Sequence, residues 1–265
     1  MKKLIGIGVG PGDPELVTVK AVRVLRESDV VFVPVMAGPG GETPAAGRAE
    51  TTIRAHIGPE RIRRVAFALN DRGGITARRT SAWHTAAREV NRAFEDGATT
   101  VSFGTIGDPN LYSTFSYLAQ TVRGMVRDVC VETVPGITAM QDLAARSAGT
   151  VLAEGTEPLV LLPLSGGAGA LRDALGRPGT VVGYKLGAAA GPSPGEVLGL
   201  LAGAGRLDGA VVGSRLGLPG EDIRPAADLA RLPAVPYLST LIVPARRDRR
   251  PGVGSSLARP AGETL

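Results

Sequence analysis

The chain has 265 residues, 43% of them hydrophobic, which is enough for one large or two modest domains with real cores. The net charge of +5 is mostly local: after Ala245 five arginines stand against Asp248 and Glu263, a surplus of three, so the basic balance reads as a solvated tail and argues against a nucleic-acid-binding protein. A single cysteine excludes an internal disulfide, and no apolar run reaches the roughly 18 residues of a membrane span; with an N-terminus that enters structure at once and lacks a cleavable signal pattern, the expected setting is cytoplasmic.

The first predicted strand is Leu4–Val9. Gly10-Pro11-Gly12-Asp13-Pro14 follows, with Gly10 and Asp13 kept from the helical region by the prolines behind them. Asp13 then reads as a helix N-cap and Pro14 as the first helical residue. The helix places Val17, Ala21, Val24 and Leu25 on one face. A second strand spans Val30–Val35. Residues Ala37–Gly74 read as a long insertion before a helix beginning near Thr80, and their Gly- and Pro-rich start as a mobile segment.

The third strand, Thr100–Gly104, runs into Gly104-Thr105-Ile106-Gly107-Asp108-Pro109, again Asp before Pro. Leu111, Phe115, Leu118 and Val122 form the expected buried stripe of the next helix. The fourth strand, Val129–Val134, carries Cys130 as a small core residue. It turns at Val134-Pro135-Gly136-Ile137-Thr138-Ala139 into a helix around Met140–Arg146. The pattern restarts near Ser147–Glu157, which sets the expected domains at 1–150 and 151–245, with 246–265 a disordered basic tail. The second half holds strands Leu159–Pro163, Thr180–Tyr184, Gly209–Ser214 and Ser239–Val243. Apolar strands without alternation, separated by helices, indicate an α/β protein with buried parallel strands.

Loops leaving the carboxyl ends of neighbouring parallel strands line a crevice where ligands bind. One glycine-rich junction is adequately explained as a tight turn; three in one half favour a site for a polar small molecule. A dinucleotide fingerprint fails, because Pro11 and Asp13 stand where its third glycine belongs. There is no Walker lysine. His56 and His84 lack metal-ligand spacing, so no metal site is expected. A cleft without an evident nucleophile, metal or acid–base pair suits a reaction whose partners bring their own reactivity.

Gly8-Val9-Gly10-Pro11-Gly12-Asp13-Pro14-Glu15-Leu16, with Thr18 and Lys20, resembles the opening of the tetrapyrrole (corrin/porphyrin) methylases. Gly107-Asp108-Pro109 with Tyr112 is similar to their Gly-Asp-Pro-x-x-Tyr loop, and Val134-Pro135-Gly136-Ile137-Thr138 to their Val-Pro-Gly segment. Tyr184-Lys185 and Pro236–Val243 resemble two later strands, so the ordered likeness covers about residues 3–244. The insertion after the second strand, Leu152-Ala153-Glu154-Gly155 and the closing Pro-Tyr-x-Ser look most like the branch that methylates C20 of precorrin-2 or its cobalt form. Phe103-Gly104-Thr105-Ile106 and the Gly/Ala-rich Lys185–Pro194 depart from the usual pattern.

The resemblance implies two α/β domains with S-adenosyl-L-methionine in a cleft between them, a tetrapyrrole substrate and a homodimer. It implies cofactor contacts at Pro11, Ile106, Gly107, Asp108, Tyr112, Thr138, Ala139, Tyr184, Leu216, Thr240 and Leu241. Asp108 reads either as a helix cap or as a ligand or catalytic group, and Tyr112 as cofactor contact or core. The substrate implied is a polyacid, which arginine recognises through paired donors. Arg48, Arg54, Arg72, Arg78, Arg79 and Lys185 are candidates, each with a solvated-surface alternative. Another ring-carbon methylase, acting on uroporphyrinogen-III or a later precorrin, and a non-catalytic tetrapyrrole carrier are the competing readings.

Overall fold

The computed structural model describes residues 1–36, 46–68, 76–147 and 150–247. The chain divides into two compact units, one ending at Thr138 and one starting at Ala139.

Unit one contains β1 (Lys3–Gly8), α1 (Val19–Glu27), β2 (Val30–Met36), α2 (Arg48–Ile53), β3 (Ile62–Phe67), α3 (Ala77–Glu95), β4 (Thr100–Thr105), α4 (Phe115–Met125) and β5 (Cys130–Val134). The sheet order is β3-β2-β4-β1-β5, and every pair is parallel. Both faces are covered. Ile5, Ile7, Val31 and Val33 face α1 and α2, while Leu4, Phe32, Phe67, Val101 and Phe103 face α3 and α4. This double burial explains why these strands read as continuous apolar runs. Gly6 sits under the Phe115 ring, where a Cβ would come within 2.4 Å of Cε1. The absent side chain lets α4 seat that ring, whose burial is worth about 1.5–3 kcal/mol.

The region expected as an insertion contains both α2 and β3 between residues 46 and 68, so much of it belongs to the fold. The expected mobile start lies outside the described residues. Glu50 of α2 is only 1% exposed and receives a two-pronged guanidinium from Arg64 on β3, at 2.6 and 2.8 Å. Arg54 adds a further contact at 2.6 Å. These bonds, with Arg64 first, hold the Glu50 carboxyl below its usual range.

Unit two contains α5 (Ala139–Arg146), β6 (Leu159–Pro163), α6 (Gly169–Leu175), β7 (Thr180–Tyr184), α7 (Pro194–Gly203), β8 (Val211–Ser214), β9 (Asp222–Pro225) and β10 (Ser239–Val243). Its order is β6-β7-β10-β8-β9. Only β6–β7 is parallel; β10 runs against both neighbours, and β8 against β9. The expectation of parallel strands thus applies to unit one and to one pair of unit two. Leu241 and Val243 pack toward α6 and α7, whereas Ile242 joins Leu143, Val182 and Leu216 on the other face. Gly213 makes room there for Leu143 of α5, whose Cδ1 a Cβ would meet at 2.7 Å. That packing assigns α5 to unit two, so the division falls a helix earlier than the boundary expected near residue 150.

The expected disordered tail is a solvated arm from residue 246, but Arg246 donates to Ala204 O and Arg247 bonds Glu157 at 2.5 and 2.8 Å. Residues 248–265 lie outside the described residues. Arg206, 5% exposed, donates to Gly179 O at 2.7 Å and Pro244 O at 2.9 Å, holding the exit of β10 against the turn before β7.

Candidate functional site

The three glycine-rich junctions follow β1, β4 and β5, which lie side by side, so their loops leave one edge of the unit-one sheet together. Gly107 N–H donates to Gly10 O at 2.8 Å in an isolated antiparallel bridge. Both glycines are left-handed, with φ of 71° and 76°, a conformation open to glycine without steric cost. The third loop closes in as tightly. A Cβ on Gly8 would lie 2.5 Å from Gly107 O and 2.6 Å from Gly136 N, and one on Gly136 would lie 2.2 Å from Gly107 O. Backbone therefore packs on backbone where side chains would hold the loops apart.

Asp108 ties this junction. One carboxylate oxygen accepts from Asn110 N at 2.8 Å and the other from Gly136 N at 3.0 Å. It is not the cap of the following helix, which starts at Phe115. The intervening residues take an Asx turn, stabilised locally by the short side chain. Leu111 is consequently half-buried rather than part of the α4 stripe. Asp13 likewise caps a single 3-10 turn over Pro14–Leu16, and Thr18 caps α1. The expanded first loop is propped by α2 and the turn after it: Thr52 Oγ1 donates to Gly12 O at 3.0 Å, and His56 Nε2 to Pro14 O at 3.0 Å.

Of the residues expected at a cofactor, Pro11, Ile106, Gly107, Asp108, Tyr112 and Thr138 belong to unit one. Pro11 and Thr138 are buried, and Ile106, Gly107 and Asp108 half-buried. Nothing lies within 4 Å of a Cβ built on Gly107, so its α-carbon faces open space. Tyr112 is 43% exposed and left-handed at φ 50°, which sets it apart from a core tyrosine. Desolvation raises its phenol above the usual tyrosine range.

Ala139, Tyr184, Leu216, Thr240 and Leu241 belong to unit two. Tyr184 ends β7 opposite Thr240, and its hydroxyl accepts from Met140 N at 3.3 Å. Ala139, Tyr184 and Leu216 pack in one cluster. Leu241 does not join them: strand alternation turns its side chain into the core beneath α6 and α7, leaving only its backbone on offer.

The substrate candidates disperse. Arg54 is engaged by Glu50. Arg48 and Arg78 are exposed, and Arg79 lies over the Trp83 and Tyr117 rings, 5.5 and 5.9 Å from their centroids. Arg72 lies outside the described residues. Lys185 follows Tyr184 in a left-handed conformation at φ 62°. Cys130 is half-buried on the edge strand β5 rather than in the core. His84 is exposed. Among the described residues no three His, Cys, Asp or Glu side chains gather as metal ligands, and no helix is long and apolar enough to cross a membrane.

The sequence pattern did not disclose the Asp108–Gly136 link, because it joins loops 28 residues apart. Arg215 was missed for another reason: its φ of 52° at the end of β8 has no glycine or asparagine to signal it.

Comparison with known proteins assigns this arrangement to a family. The model of the Tetrapyrrole (Corrin/Porphyrin) Methylases matches residues 3–232. The precorrin-2 C(20)-methyltransferase of Sinorhizobium sp is 31% identical over 252 residues, covering 93% of this chain and 97% of that protein. The cobalamin biosynthesis protein CobIJ of Mycobacterium bovis is 32% identical over 247 residues, and this chain spans about half of it, 93% of the one aligning with 46% of the other. The crystal structure of the cobalt precorrin-4 methyltransferase CbiF shares the fold, with a TM-score of 0.62 at 19% identity over 91% of this chain and 94% of that one. By sequence and by architecture, the chain belongs to the tetrapyrrole methylase family.

Proposed function

We propose that the protein transfers a methyl group from S-adenosyl-L-methionine to C20 of precorrin-2, or of its cobalt form, giving precorrin-3A. The observation that carries the reading is the convergence of three glycine loops, backbone on backbone, at neighbouring strand ends. Likeness to a C20-methyltransferase along nearly its whole length supports the choice of carbon.

The cradle fits the donor. It offers peptide groups, the apolar surfaces of Pro11 and Ile106, and the open face of Gly107, a set suited to a zwitterionic ligand that needs orientation more than activation. Bound there, S-adenosylmethionine supplies a methyl already activated on a sulfonium. What remains for the protein is to fix distances and exclude water. Tight positioning of that kind is worth on the order of 7–11 kcal/mol. Asp108 acts in this scheme as a positioning residue, since its oxygens already accept two peptide N–H groups. Tyr112, with its phenol shifted upward, stays protonated at neutral pH and can donate a hydrogen bond. Ala139, Tyr184, Leu216 and Thr240 complete the proposed contacts, Leu241 contributing through its backbone.

The deciding experiment is incubation with precorrin-2 and carbon-13 methyl donor, then mass spectrometry and NMR of the product. One added methyl at C20 is expected. Label on another ring carbon moves the protein to a different branch of the family; binding without transfer makes it a carrier. The reading includes a homodimer, which sedimentation equilibrium tests.

A further inference from the structure

Strands β7 and β8 flank β10 and run against it, so both end where β10 begins. Tyr184 pairs with Thr240, and Ser214 with Ser239. The next residue on each side is a cation in the left-handed region, Lys185 at φ 62° and Arg215 at φ 52°. A side chain with a Cβ adopts that conformation only against a steric cost. Both turns are locked to the entry of β10: Leu186 N donates to Ser239 O at 3.1 Å, and Arg215 N to Leu238 O at 3.0 Å. With strands about 4.8 Å apart, the two backbones stand roughly 10 Å from each other across β10. The chain leading into β10 runs through this edge, and its Tyr237 is 45% exposed.

Arg215 differs from several other arginines of unit two. Arg146, Arg224, Arg231 and Arg247 each meet a carboxylate. Arg215 is exposed and makes no ion pair among the described residues; its guanidinium rests over Gly220, where a Cβ would come within 2.8 Å of Nη1. The guanidinium thus lies beside that glycine at the rim.

We infer that Arg215 and Lys185, with the Tyr237 ring at the same edge, form a specificity rim that receives the acid arms of the tetrapyrrole; this rests on the reading of the protein as a tetrapyrrole methyltransferase. The guanidinium takes a carboxylate through paired donors, the ammonium takes a second as a point charge, and the aromatic ring offers a face to a flat conjugated ligand.

The test uses Arg215→Gly, which deletes the charge while suiting the left-handed backbone, and Arg215→Lys, which keeps the charge. The expected result for Arg215→Gly is a KM for precorrin-2 raised about tenfold, with calorimetric affinity for S-adenosylmethionine and melting temperature unchanged. Arg215→Lys recovers most of the loss. An unchanged KM, or a donor affinity that falls in step with it, overturns the rim. Absorption titration with uroporphyrin, which carries eight carboxylates, separates this inference from the reading beneath it. If the wild-type protein leaves precorrin-2 unmethylated, the proposed reaction falls; weaker uroporphyrin binding by Arg215→Gly still supports the rim. Equal binding by both proteins, or no binding by the wild type, overturns it.

Discussion

The two units build the strand-end edges proposed to meet ligand by opposite means. In unit one, parallel strands end in turns where glycine backbones touch, and the Asp108 side chain joins two of them. In unit two, antiparallel strands end in left-handed residues that keep full side chains, Lys185 and Arg215, beside Tyr184 and Thr240. The first edge has its shape fixed by what is missing from the residues, the second by what they carry. Substitutions should therefore be felt mainly as lost fold and lost donor binding at the glycine turns of unit one, and mainly as altered substrate preference at Lys185 and Arg215 of unit two.

The sharpest way to break that contrast is to add one methyl group. Gly136→Ala and Gly8→Ala force a Cβ against peptide atoms that cannot rotate away. Each should cost about 3 kcal/mol of stability, near the upper end for overpacking, and abolish donor binding. A melt and a calorimetric titration check both, and near-normal values for either variant would mean that the loops are not held by close backbone packing. Glu50→Gln should cost about 2–3 kcal/mol, since it strands two guanidiniums, with the half-exposed position of Arg54 and Arg64 keeping the loss below that of a fully buried pair. The same group sets a pH trend. Its carboxyl is lowered in the fold from an ordinary 4.5, so its contribution is complete above that pH and disappears as pH falls through the lowered folded value. Acid melts of wild type and Glu50→Gln should therefore converge.

Asp108→Asn tests the tie between two loops. One acceptor oxygen survives, but the other becomes an amide NH2 facing a donor, at a cost of about 1–2 kcal/mol. Donor affinity should weaken while the melting temperature drops only modestly. The smallest effect is expected in unit two. Tyr184→Phe removes a single acceptor from Met140 N, worth about 0.5–1.5 kcal/mol. A larger loss of stability than that for Asp108→Asn would reverse the proposed division of labour.

The sequence was legible where local chemistry decides structure. Strands buried on both faces announce themselves as apolar runs, so β1, β2, β4, β7 and β10 stand close to where the pattern puts them. Strand β3 was missed because Arg63 and Arg64 interrupt its apolar run, Arg64 serving Glu50. Strand β9 was missed because it has four residues and ends at Pro225. Asp13 was read as a helix cap and Asp108 as a cap or a ligand group, yet neither caps an α-helix. Aspartate before proline signals a local N–H acceptor without saying which N–H will arrive. Helix α5 changed units because its partners, Val182 and Ile242, lie far along the chain. Side-chain placement at the ends of β7 and β8 depends on tertiary pairing, and nothing nearby in the sequence encodes it.

The bridge between Gly10 and Gly107 couples the two turns that carry it. A residue inserted into either would shift the donor or the acceptor of the Gly107–Gly10 hydrogen bond and break its register. Lengthening one turn alone should therefore be forbidden, and tolerated length changes should come in matched pairs.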